Sequence, residues 1–278
     1  MNIRKKYKYI FYFVLVLILL SIFLYFMNWR KKDELTLDIA KNKKNIEVSE
    51  KLQKQFIPIP KEEVFEIIEN NKTSEINLIK EKFDEADSEI RKSLYASILL
   101  RLGVQDEKYI TYLKGQAEKI INDDRPYPVK KDENGNEIKG EYNPEFEDWC
   151  KKNNIELRQC TAEWFYSFPS IMGYLGLTNN ELFFEYLKSG LNSTNDGIVL
   201  NSVSGLGILG DPRGIDLIED AIKNTDNPGV KHIMAQSLLF IDDPYAEDIS
   251  KQYIEEKNFN YYKEIADNKR ITSLISIY

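Results

Sequence analysis

The chain opens on a run with no polar face. Tyr9 to Trp29 is 21 residues without a charge, and Ser21 and Asn28 are its only clearly polar members. A helix of that length is roughly 31 Å long, about one hydrocarbon core. Tyr7, Tyr9 and Tyr12 lie at one end and Tyr25 and Trp29 at the other, as suits a headgroup boundary. The pattern predicts a basic tail over 1–8 and one uncleaved transmembrane helix over 9–29. A cleavable signal would have a shorter core and a small-x-small site, which Leu24 to Trp29 lacks. No cysteine follows the run to carry a lipid anchor.

Arg4, Lys5, Lys6 and Lys8 precede the run, and Arg30, Lys31 and Lys32 follow it. The Lys/Arg balance therefore gives no clean orientation. The expected arrangement keeps the short tail inside and exports the bulk, as a single-pass protein with an extracytoplasmic C-terminal domain.

Residues 30–60 are polar, rich in Lys, Glu and Asn, and read as a stalk or linker. Ile57-Pro58-Ile59-Pro60 is an extended break, since each proline biases its predecessor away from the helical region. Pro60 then opens a helix carrying Val64, Phe65, Ile67 and Ile68. From 61 to 278 apolar residues recur at i, i+3, i+4 and i+7, without sustained alternation, so the domain is expected to be all-α.

The pattern also repeats. Four junctions align: Leu102-Gly103-Val104-Gln105, Leu175-Gly176-Leu177-Thr178, Leu209-Gly210-Asp211-Pro212 and Ile241-Asp242-Asp243-Pro244. The last three are spaced by 34 and then 32 residues, and the first lies 73 before the second. Three residues before each junction stand Leu99, Met172, Leu206 and Leu238; eight after stand Ile110, Phe183, Leu217 and Ile249. Matching apolar columns on both sides imply two helices per unit, each with one buried stripe. Such a unit hides its stripe only against a neighbour, which is the logic of an α-solenoid.

The turns fit this reading. Asn227-Pro228, Asp211-Pro212 and Asp243-Pro244 each set a capping side chain before a proline. Thr178 and Glu181 have capping-box spacing. Gly103, Gly176 and Gly210 are expected to end helices in the left-handed conformation. Pro169 falls inside a first helix and predicts a kink or a late start. Residues 123–145 break the array as a non-helical insertion, with Asn134-Gly135 suited to a hairpin turn.

Gly205-Leu206-Gly207-Ile208-Leu209-Gly210-Asp211-Pro212-Arg213 resembles the centre of bacterial HEAT-like repeats. Residues 196–257 resemble two such repeats, 163–195 one weaker one, and 74–122 a degenerate one. The resemblance implies a superhelical binding scaffold in which Gly205 lets the first helix approach its neighbour. It also gives Asp211 and Arg213 capping and inter-repeat pairing roles. It implies no reaction, since scaffolds, enzyme subunits and some lyases share the repeat.

Composition narrows the chemistry. The net charge is −7, and the basic tail makes the remainder more acidic still, a poor match for nucleic acid. His232 is the single histidine, and Cys150 and Cys160 are the only cysteines, so neither a zinc site nor a triad is expected. The cysteines lack C-x-x-C spacing. An exported domain favours a disulfide between them; a cytosolic one favours two packed thiols.

Gly205-x-Gly207-x-x-Gly210 formally matches a dinucleotide fingerprint, but a turn and another helix pattern follow where a βαβ continuation is needed. Asp123-Asp124 and Asp242-Asp243 are adjacent pairs better suited to caps and turns than to acid–base work across a cleft. Asn71-Lys72-Thr73 and Asn192-Ser193-Thr194 match the glycosylation rule. Tyr127, Tyr142, Trp149, Trp164, Phe165 and Tyr166 cluster around the insertion, and exposed aromatics there would anchor a partner.

The function expected from these residues is non-catalytic binding of another protein or peptide near a membrane. No cofactor or metal is expected. The alternatives are an enzyme or enzyme accessory, with Glu163, Asp148 or Arg158 lining a cleft, or an immunity-type protein that masks a toxin.

Overall fold

Capping residues and apolar stripes divide the chain into short helices. The computed structural model describes residues 73–133 and 136–268. The expected transmembrane helix, tail, stalk, Pro58/Pro60 break and first helix, and the Asn134-Gly135 turn, lie outside the described residues. Among those residues no helix is long and apolar enough to cross a membrane.

The described chain is mostly helical. It runs α1 (Ile76–Glu85), α2 (Glu89–Arg101), α3 (Glu107–Ile121), β1 (Val129–Lys131), β2 (Glu137–Tyr142), α4 (Pro144–Lys152) and α5 (Leu157–Ala162). Then follow α6 (Phe168–Leu177), α7 (Phe184–Gly190), α8 (Asp196–Leu209), α9 (Gly214–Asn224), α10 (Pro228–Leu238), α11 (Pro244–Tyr253) and α12 (Glu256–Asp267).

Local chemistry sets the starts. Ser88, Asp106 and Asn143 cap α2, α3 and α4 by accepting N–H bonds from Arg91, Lys108 and Glu145. Asn227 and Asp243 do the same for α10 and α11, each with a proline in the first turn. Asp211 accepts from the Arg213 N–H at 2.9 Å, but α9 begins only at Gly214. The expected capping box does not form. Thr178 bonds back to the Leu175 carbonyl, and Asn180 caps the next turn through the Leu182 N–H.

The helices pack in a ladder. α2 lies against α6, α6 against α8, and α8 against α10; α3, α7, α9 and α11 pack on the respective preceding members of that series. The column Leu99, Met172, Leu206 and Leu238 is 0% exposed at all four positions. In the second column Phe183 and Ile249 are buried, and Ile110 and Leu217 pack partly buried on the same core.

Two rungs of the ladder approach backbone to backbone. A Cβ on Gly176 would stand 2.3 Å from the Gly205 carbonyl oxygen, and one on Gly207 would stand 2.3 Å from that of Ser237. Gly103 and Gly210 end α2 and α8 with φ of +85° and +71°, as expected. Gly176 does not. It lies inside α6, and Asn179 takes the left-handed turn at φ 51°.

The insertion forms an antiparallel hairpin, β1 with β2, in which Val129 pairs with Tyr142 and Lys131 with Glu137 around an irregularity. After it, α4 and α5 close a small second core of Phe146, Cys150 and Cys160, flanked by Trp149, Ile155 and Leu157. Cys150 and Cys160 are joined as a disulfide, with Cα atoms 6.3 Å apart.

Candidate functional site

The small core is tied to the large one by Arg125, which is 5% exposed. Its Nε donates to Asp123 Oδ1 and Oδ2 at 2.8 and 3.0 Å. Its Nη1 donates to Glu163 Oε2 at 3.1 Å and to the Cys160 carbonyl at 3.2 Å. The guanidinium lies over the rings of Phe168 and Trp149, at 4.5 and 5.1 Å. One cation thus serves two buried carboxylates. Burial holds the Asp123 carboxyl above the usual aspartate range, against the pull of Arg125. Asp124 accepts from Trp149 Nε1 at 2.9 Å. The adjacent aspartates therefore cap no helix; they follow the turn that ends α3 and pair with Arg125 and Trp149.

Between α5 and α6 the chain makes a π-turn over Glu163–Ser167. The cause is Pro169, which has no N–H and whose ring would meet a carbonyl one turn back. The Phe168 N–H reaches back five residues to the Glu163 carbonyl. The Trp164 carbonyl instead accepts from Asn195 Nδ2 at 2.7 Å. Asn195 also caps α8, so one buried amide holds the π-turn and the start of α8 together. The kink expected from Pro169 takes this form.

The π-turn turns Phe165 and Tyr166 outward, at 36% and 44% exposed. Phe165 and Pro169 line a groove of about 810 Å³. Its walls come from α8 (Val199, Leu200), α9 (Leu217, Ala221), α10 (Val230, Met234) and Leu191, which follows α7. Asp196, Asp220 and Asp226 also line it, with Lys188 as the one basic residue among the described lining. That size lies within the range of ligand sites. A smaller cleft of about 360 Å³ lies along the helix junctions, lined by Arg101, Asn179, Asp242 and the Glu247–Lys263 pair.

The structure separates the expected aromatics. Trp164 is 3% exposed, so it is core rather than an exposed anchor, packed edge-on to Tyr127 at 6.5 Å. Trp149 is half-buried against Arg125. Tyr127 is half-buried too; burial and a bond to Glu137 push its phenol up to about 12, and the Asp196 charge also acts on it. Tyr142 and Tyr166 are exposed. Phe165 alone of this cluster lines the groove.

Other candidates resolve plainly. Gly205 and Gly207 lie inside α8 and Gly210 ends it, so the glycine fingerprint is helix packing and not a phosphate-binding turn. Arg213 pairs with Asp211 and lies 4.3 Å over the Phe184 ring of α7. His232 lies on α10 with Tyr262 edge-on at 5.3 Å. Glu163 is buried on Arg125, whereas Asp148 and Arg158 are exposed. Among the described residues no three His, Cys, Asp or Glu side chains converge on a possible metal position.

Compared with known protein families, curated proteins and solved structures, the chain matches none of them.

Proposed function

We propose that this chain is a membrane-tethered α-solenoid of HEAT-like helical hairpins that binds another protein or peptide without catalysing a reaction. The groove lined by α8, α9, α10 and the end of α7 carries this reading. It is open to solvent, and its lining sets apolar side chains such as Phe165, Val199 and Val230 beside polar ones such as Asp196, Asp220 and Asn227. The ladder of helix contacts supports the repeat architecture, because each hairpin covers its stripe with the next. The uncharged run over 9–29 supports a single-pass anchor, with the helical domain extracytoplasmic. The Cys150–Cys160 bond fits an oxidising compartment.

A photo-crosslinking residue placed at Phe165 in the full chain tests the reading. It should yield adducts of discrete mass in the native membrane, whereas the same residue at Tyr261, exposed on α12 and away from the groove, should not. Equal labelling at both positions would refute a dedicated site. A reporter fused to the C-terminus reads which side of the membrane holds the domain.

A further inference from the structure

The groove has a sign. Asp196 opens α8, Asp220 lies on α9, and Asp226 precedes the Asn227 cap; all three are exposed at the groove. Two nearby cations are held by other carboxylates. Lys188 is engaged with Glu185 at 3.5 Å, and Lys223 with Glu219 at 2.7 Å. The N-termini of α8 and α10 add positive ends worth about half a charge each. Asp196 itself offsets the first, and the Asn227 side chain satisfies the N–H groups of the second. Negative charge therefore prevails over the positive helix ends. At physiological salt such charges act over about 8 Å, which reaches across a groove of this size.

The apolar side is as definite. Phe165 projects from the π-turn, and Val199, Leu217 and Val230 give it an aliphatic floor. An exposed aromatic held on a π-turn beside aliphatic neighbours is the form of an interface anchor. An anionic lipid surface or a nucleic acid would meet repulsion from the three aspartates.

We propose, resting on the binding reading above, that the groove takes a basic amphipathic peptide segment of a partner protein. Its apolar residues lie against Phe165, Val199 and Leu217, and its Lys or Arg side chains face Asp196, Asp220 and Asp226. Apolar burial supplies the affinity, and the carboxylates select the sign of the partner.

The test is selection of a random twelve-residue displayed peptide library on the full chain in nanodiscs of zwitterionic lipid. Enriched peptides should carry more Lys and Arg than Asp and Glu, interleaved with Leu, Ile or Phe. For a synthetic copy of one, the combined Asp196→Asn, Asp220→Asn and Asp226→Asn variant should raise Kd at least tenfold. Raising salt should weaken binding to the parent more than to the variant. Phe165→Ala should raise Kd about tenfold at any salt. The three aspartates are exposed, so the variant should stay folded with only the small loss expected from removing Asp196 at the start of α8, and circular dichroism checks that. Acidic or uncharged peptides that still depend on Phe165 would overturn the charge inference and leave the groove as a binding site. Peptides indifferent to both sets of substitutions, or no enrichment at all, would overturn the inference and the binding reading together.

Discussion

Gly176 of α6 and Gly205 of α8 meet main chain to main chain. A methyl group on Gly176 would lie 2.3 Å from the carbonyl oxygen of Gly205 and 2.5 Å from its Cα. Backbone cannot swing aside as a side chain can. Gly176→Ala should therefore destabilise the domain by about 3 kcal/mol, at the upper end for overpacking. Gly115→Ala is the control. Gly115 lies in α3 with nothing within 4 Å of a new Cβ, so that change should stabilise by about 0.5–1 kcal/mol. Urea unfolding of the two variants should show opposite signs; a shared sign would mean the close approach is absent.

Arg125 is the only cation facing Asp123 and Glu163 within their buried cluster among the described residues. Arg125→Ala should cost about 3–5 kcal/mol, because it leaves two carboxylates buried without a counter-charge. Adding Glu163→Gln to it should recover part of the loss, since one stranded charge is then gone. Additive losses in that double-mutant cycle would contradict the pairing.

The Asp123 carboxyl keeps its proton to higher pH in the fold than in the unfolded chain. Between the unfolded value of about 3.9 and the raised folded one, the native state holds more proton. Its contribution to stability is thus greatest below that window and declines as pH rises through it. Urea midpoints of parent and Asp123→Asn, compared from about pH 3 to 7, should show the parent's relative stability falling as pH rises. A relative stability that instead rose with pH would mean that attraction to Arg125 outweighs burial.

The bond between Cys150 and Cys160 closes a short loop that contains Lys151 and Lys152. Both lysines are exposed in the last turn of α4, and a tryptic cut after either one falls inside the ring. The cut chain should stay whole on a non-reducing gel and separate on a reducing one. Cys150→Ser with Cys160→Ser should lower stability by about 2–3 kcal/mol, the loop-closure contribution of a ring this small. An intact chain without reductant that behaves as two pieces after trypsin would show the bond to be missing.

Much of the helical pattern was legible because burial has a period. The spacing that aligned Leu99, Met172, Leu206 and Leu238 picked out four fully buried positions. Caps at Asn227 and Asp243 were legible for the same local reason. Gly176 was misread, since a glycine at a left-handed turn and a glycine at a helix contact look alike until the neighbour is known. Thr178 lost the cap to Asn180, two residues on, a choice settled by tertiary packing.

The site was less legible because it is assembled from distant parts. Arg125 and Glu163 stand 38 residues apart in sequence, and no local pattern joins them. Asp196, Asp220 and Asp226 come from three segments and share a groove only after α8, α9 and α10 pack. Trp164 and Phe165 are neighbours in sequence, yet one is core and the other groove wall. The π-turn makes that division, and Pro169 was its one sequence signal.

The glycine contacts also settle how the groove behaves as a mould. Where Gly176 meets Gly205 and Gly207 meets Ser237, main chain abuts main chain. At those two points the interval between α6, α8 and α10 is gauged by main-chain radii rather than by side-chain rotamers. A segment docked as proposed would meet a spacing fixed at those points, and most of the disorder surrendered on docking would belong to the guest.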